Sequence, residues 1–224
     1  MRWIVVLAIP FLITLGTVRL IMSWNAPDYP GFEYNRIQPD RFGMRDDDRL
    51  AYARASLDYL LHPDSAEDAI YLLEELRLPD SEQSFYNDRE IGHMLDVKKV
   101  VDAFKTVMWV LAIVVALGLI FLLARPETRV EGYKALFYGG SFTVVVVIAV
   151  IVLIGLSWNF VFVQFHEILF PPGSWTFSNS DSLIRLFPEK FWFDFGLIWT
   201  VSILLIGLLV SGLGYLLLRN KPIS

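Results

Sequence analysis

His62, His93 and His166 are the three histidines of the chain, and each could carry a proton near neutral pH with little pKa adjustment. His62 ends a helical pattern directly before Pro63, where its expected part is to meet a helix C-terminal dipole. His93 is placed differently. Glu90 and Asp96 stand three residues to either side of it, one helical turn up and one turn down. His166 closes an apolar run; Glu167 follows it directly, and Pro171-Pro172-Gly173 must then end any helix. Two imidazoles with carboxylates nearby could divide the acid and base halves of a group transfer. Glu90, His93, Asp96, His166 and Glu167 could also ligate a metal, but there is no HExxH core, and no metal or cofactor is expected.

Covalent catalysis finds little support. The chain has no cysteine, which excludes disulfides, thiolate zinc sites and an acyl relay through an enzyme thiol. Ser174, Ser178 and Ser180 lack the GxSxG setting of a nucleophile elbow and read as turn and cap residues. Arg19, Trp175, Asp181 and Arg185 are the candidates for contact with substrate or lipid. Arg19 could anchor a lipid head group or a carboxylate such as Asp181, or could snorkel to an interface.

The elements that must hold these residues are largely membrane spans. The 224 residues are 55% hydrophobic, and the apolar residues gather in four blocks, 3–24, 107–124, 135–157 and 195–218. Runs of this length with few charges predict transmembrane helices, and hence an all-α integral membrane protein with a single membrane domain over 1–224. The first block follows Arg2 as a signal peptide would. Its length and the absence of a small-x-small site in "SWNAP" instead favour a retained span. Arg2, the loop cations Arg125, Arg129 and Lys134, and the tail cations Arg219 and Lys221 place both termini in the cytoplasm. An extracytoplasmic cap, 25–106, and a shorter external segment, 158–194, follow from that orientation. The net charge of −5 argues against a nucleic-acid partner, and the few polar groups within the spans argue against a transporter.

"NAPDYPGFEYNRIQPDRFG" is rich in Pro, Gly and Asn and predicts irregular or extended chain. "DDDRLAYARASLDYLLH" predicts a helix with an aspartate N-cap and Leu50, Ala53, Leu57, Leu60 and Leu61 on its apolar face, and "SAEDAIYLLEELRL" a second one. Together they form a mostly helical cap. From a new N-cap near Asn87, one long helix should run into the second span, with His93 on the face of Val97, Val100, Phe104 and Leu111 and with Lys98, Asp102 and Lys105 opposite. The third span is expected to continue unbroken to His166, about 47 Å from Ala135, lifting it past a ~30 Å hydrocarbon core. Trp24, Trp109, Trp158, Trp175 and Trp192 would then form an aromatic belt. The chain beyond His166 should lie along the interface as a hairpin or re-entrant lid before the last span.

Two blocks, "DREIGHMLDVKKV" and "FHEILFPPGSWTFSNSDSLIRLFPEKFW", resemble the bacterial integral-membrane family that includes the lipoprotein intramolecular transacylases. The resemblance covers essentially the whole chain. It implies a bacterial cytoplasmic-membrane enzyme with an extracytoplasmic active face and no cofactor. Its partners would be membrane lipid and a diacylated lipoprotein, one of whose acyl chains moves from glyceryl oxygen to the α-amine of the N-terminal cysteine. His93 and His166 match the family's two histidines.

That chemistry suits the residues. Ester-to-amine transfer runs downhill without an energy source, but it needs a free amine, whose conjugate acid has a pKa of roughly 7.7–8.0. It also needs a proton for the leaving alkoxide and donors for the oxyanion. Amine and ester share one substrate, so proximity could supply several kcal/mol and no enzyme nucleophile is required. In one assignment His93, steadied by Asp96 or Glu90, is the base and His166 the acid or oxyanion partner; the reverse assignment fits nearly as well. Two rivals stay open: a non-catalytic partner-binding or assembly protein, and a membrane lipid or peptide hydrolase.

Overall fold

The computed structural model describes residues 1–24 and 28–220; Asn25–Pro27 and the tail cation Lys221 fall outside the described residues. Among them the secondary structure is helical apart from one isolated bridge between Arg77 and Ser84. The helices are α1 (Arg2–Met22), α2 (Tyr29–Tyr34), α3 (Asp46–Leu61), α4 (Ala66–Ala69), α5 (Tyr71–Glu74), α6 (Asp88–Leu123), α7 (Pro126–Leu156), α8 (Trp158–Leu169), α9 (Ser182–Leu186) and α10 (Glu189–Arg219). Four of them, α1, α6, α7 and α10, are long and apolar enough to cross a membrane. The charges show where the apolar part of α6 begins. Asp88–Lys105 holds eight charged side chains and Thr106–Leu123 none. Those last 18 residues rise ~27 Å, close to the thickness of a hydrocarbon core, so the spanning part starts after Lys105.

The chain forms two compact units. The first comprises Met1–Arg19, Phe104–Ser157 and the chain from Gly196. Small residues let its backbones approach: a Cβ on Gly140 would stand 2.4 Å from the Ser211 nitrogen, and one on Gly214 2.4 Å from the Phe137 nitrogen. The Ser141 and Ser211 hydroxyls bond at 2.8 Å, and the Trp199 indole donates to the Thr14 carbonyl at 3.1 Å. Val5, Ile9, Val115, Leu122 and Ala135 are buried between the helices, whereas Leu117, Val145 and Leu209 face outward as lipid-contacting side chains do.

The second unit, Leu20–Ala103 with Trp158–Phe195, carries both candidate histidines. Its core is Tyr59, Ala69, Leu73, Phe85, Tyr86, Met94, Leu183 and Leu186. Local expectations fail here in four places. Tyr29–Tyr34 is helical rather than irregular, because Asp28 accepts a hydrogen bond from the Gly31 N–H and Pro30 lies in the first turn. Helix α3 starts after Arg45, without a side-chain cap, and the three aspartates occupy its first turn instead. The second cap helix is split at Ile70 into α4 and α5. The continuous third span is corrected as well: α7 stops at Leu156, Ser157 is extended, and α8 begins afresh at Trp158. Gly155 and Ser157, both weak helix formers, stand at that break.

Candidate active site

Helix α6 begins with a reciprocal cap. The Asn87 side-chain oxygen accepts from the Glu90 N–H at 3.1 Å, while a Glu90 carboxylate oxygen accepts from the Asn87 N–H at 2.8 Å. The second Glu90 oxygen accepts from the Leu183 N–H at 2.7 Å, so this buried carboxylate also ties α9 to α6. Glu90 is therefore committed to backbone, and among the described residues no carboxylate bonds to either histidine. Glu90→Gln turns one acceptor into a donor facing an N–H, and is expected to cost about 1–3 kcal/mol in thermal unfolding. Asp96→Asn, which caps no such group, should stay within about 0.5 kcal/mol.

One turn beyond Glu90, His93 is 6% exposed, and its Nδ1 is buried without a hydrogen-bond partner. Its ring lies against Phe170 at 5.0 Å, Phe177 at 5.4 Å and His166 at 6.5 Å between centroids, with the planes of the two imidazoles only 24° from parallel. On the opposite face of α6, Lys98 is fully buried, donating to the His62 carbonyl at 3.0 Å and pairing with the partly exposed Asp102 at 3.1 Å.

His166 is set by α8. Its Nδ1 lies 2.8 Å from the Phe162 carbonyl one turn earlier. A carbonyl oxygen only accepts, so Nδ1 must carry the hydrogen, and the neutral ring keeps its lone pair on Nε2. Phe162 at 4.1 Å, Trp175 at 5.0 Å, Phe165 at 5.4 Å and Phe170 at 5.6 Å enclose the ring. This apolar wall removes water from the charged form and pushes the His166 pKa below its ordinary 6.5; the bond to Phe162 opposes the shift without reversing it. Burial, and secondarily His166, push the His93 imidazole down as well. Both rings are neutral at pH 7, a state able to accept a proton.

Pro171–Ser174 then reverses the chain. Ser174 N–H donates to the Pro171 carbonyl at 3.2 Å, with Pro172 and Gly173 in the middle and Gly173 at φ +82°. This is a type II turn, whose third position favours glycine. A Cβ there meets nothing within 4 Å, so Gly173→Ala is expected to cost about 1 kcal/mol from backbone strain alone, read as a lower melting temperature. The turn brings Trp175 back onto His166. Glu167, Phe170, Pro172, Gly173 and Trp175 line an open cavity of about 290 Å³ beside that ring.

Glu167, at the edge of that cavity, is exposed and accepts from Gln164 at 2.8 Å. Asp181 accepts from the Ser178 N–H at 2.8 Å. Arg185 makes a two-point pair with Asp40, at 3.0 and 3.3 Å. Arg19 is half-buried at the end of the first unit's share of α1. Phe162, Phe170, Phe177 and Arg89 form or hold the walls, and their spacing in the sequence gave no sign of it.

Comparison with known proteins bears on what such a pair could serve. The family model described as "Lipoprotein intramolecular transacylase Lit" matches residues 3–192. An Aquifex aeolicus (strain VF5) protein, described only as uncharacterized, is 32% identical over 216 residues, which cover 95% of this chain and 92% of that protein. The in meso structure of the membrane integral lipoprotein intramolecular transacylase Lit from Bacillus cereus aligns with a TM-score of 0.74 at 24% identity, over 97% of this chain and 92% of that one. A histidine-to-alanine mutant of the Bacillus cereus protein aligns at 0.75 and 23% identity, covering 100% and 94%. The folds are shared.

Proposed function

This chain belongs to the family of the lipoprotein intramolecular transacylase Lit, and from that membership we propose a membrane acyltransferase acting on bacterial lipoproteins. It moves one acyl chain from the glyceryl oxygen to the α-amine of the N-terminal cysteine, with the two-histidine site as its active centre. The observation that carries this reading is the pairing of His166, whose Nε2 lone pair is left free, with a buried His93 that lacks a partner for Nδ1. The chain has no cysteine, and the rings packed on the two imidazoles are aromatic, which suits direct attack by the substrate's own amine.

The bond to Phe162 favours His166 as the base, the reverse of the first assignment. The Nε2 atom takes a proton from the amine as its nitrogen attacks the ester carbonyl. His93 supplies hydrogen bonding to the oxyanion or to the leaving glyceryl oxygen, gaining there the partner that its Nδ1 lacks. The C–O bond breaks, the glyceryl oxygen is protonated, and an amide replaces the ester. Aromatic walls limit water, strengthening each of these contacts. The cationic loops keep the termini cytoplasmic and present the site at the extracytoplasmic side, where lipoprotein esters reside.

The test is to express the protein in a host whose lipoproteins are diacylated with free amines, and to locate the acyl groups on the N-terminal lipopeptide by mass spectrometry. One acyl chain on nitrogen and one remaining on glycerol is the expected result. An unchanged lipopeptide would defeat the proposal, and released fatty acid would favour hydrolysis.

A further inference from the structure

We infer that Arg89 is a positioning residue of this site, holding Trp175, Thr176 and Phe177 closed over the imidazoles so that the amine, not water, takes the acyl group. The inference rests on the transacylase reading above. It starts from how weakly this stretch is tied. Residues 175–177 form no helix or strand, and turns bound them at Pro171–Ser174 and Ser178–Asp181. Among the described residues, the single backbone hydrogen bond made by the three is the one that the Thr176 carbonyl accepts from the Arg89 guanidinium. The same guanidinium lies over the Phe177 ring at 5.5 Å.

Two walls of the site hang from that contact. Phe177 packs on His93 at 5.4 Å and Trp175 on His166 at 5.0 Å. Arg89 precedes His93 by four residues, so both project from one side of α6, and the stretch that Arg89 grips crosses the ring it must cover. A planar guanidinium can donate to a carbonyl and stack on a ring at once, whereas an ammonium offers only a point charge. Arg89 is itself exposed and touches no reacting atom, so its influence runs through the two aromatic rings.

The consequence is chemical. With the stretch loosened, water reaches the ester beside the His166 base. Its oxygen bonds to the acyl carbon, the ester C–O bond breaks and the glyceryl oxygen takes a proton, leaving a free fatty acid and a lyso-lipoprotein. Hydrolysis and transfer then compete for one acyl group, and their ratio is independent of how much enzyme is folded.

The experiment reconstitutes wild type, Arg89→Ala and Arg89→Lys in lipid with a synthetic diacylglyceryl-cysteine lipopeptide and quantifies N-acyl product and free fatty acid. Arg89→Ala is expected to lower transfer on the order of 10-fold, the scale of a misplaced site, while the fatty-acid share rises several-fold. Arg89→Lys should fall between, and it decides the matter if the alanine variant does not fold. Equal loss of both products, or a wild-type ratio in the folded variants, overturns the role of Arg89 alone. A wild type that makes no N-acyl product overturns the transacylase reading and this inference with it.

Discussion

His166→Gln is expected to reduce N-acyl lipopeptide formation on the order of 10²–10⁴-fold, the usual contribution of a positioned proton acceptor. Glutamine keeps a polar side chain of similar reach but has no basic lone pair. The change should be silent in folding, because α8 contains no fully buried residue and His166 contributes one hydrogen bond, to the backbone of its own helix. The pH profile sharpens the test. Burial lowers the His166 pKa from 6.5, so the imidazole stays neutral and competent as a base throughout the range above that value. The substrate ammonium, at roughly 7.7–8.0, is the group that must lose a proton. Activity should thus climb between pH 6.5 and about 8 with the amine's titration and show no imidazole limb in that window. A wild-type rate in His166→Gln, or a limb near 6.5 that this substitution removes, would contradict the assignment.

The spans and the two histidines were legible for the same reason: each depends on residue type more than on a partner. A run such as Thr106–Leu123 has few alternatives to a membrane, and His93 at the head of a capped helix is placed by that helix alone. Features that depend on distant backbone were hidden. Helix α3 illustrates this. Its apolar residues promised a face of Leu50, Ala53, Leu57, Leu60 and Leu61; Ala53 is buried as expected, but the rest of the buried stripe is Arg49, Ser56 and Tyr59. The polar members go inside because partners wait there: Arg49 donates to the carbonyls of Arg185 and Gln38, Ser56 bonds to Tyr86, and Tyr59 donates to the Ala66 carbonyl. No periodicity in α3 encodes those carbonyls. The same limit applies to Glu90. Spacing brought it near His93, but the Leu183 N–H, 93 residues away, claims its oxygen. The break at Ser157 has a similar origin, since apolar composition continues across it while the backbone does not.

His93→Leu is expected to separate stability from activity in opposite directions. A buried nitrogen with no partner costs about 1–3 kcal/mol, and leucine of similar volume removes it while still filling the space beside Phe170 and Phe177. The variant should therefore melt no lower than the wild type in lipid or detergent, and by this reasoning higher. N-acyl product should fall on the order of 10²-fold or more, because an oxyanion or leaving-group partner is worth about that much when removed. Purely structural histidines behave otherwise: their partners are satisfied in the folded chain, so replacement destabilises and activity falls only with the amount folded. Here Nδ1 is unsatisfied in the folded chain, and on the proposed mechanism the substrate supplies its partner. Lower stability with undiminished activity per folded molecule would make His93 a packing residue and leave His166 to act without it.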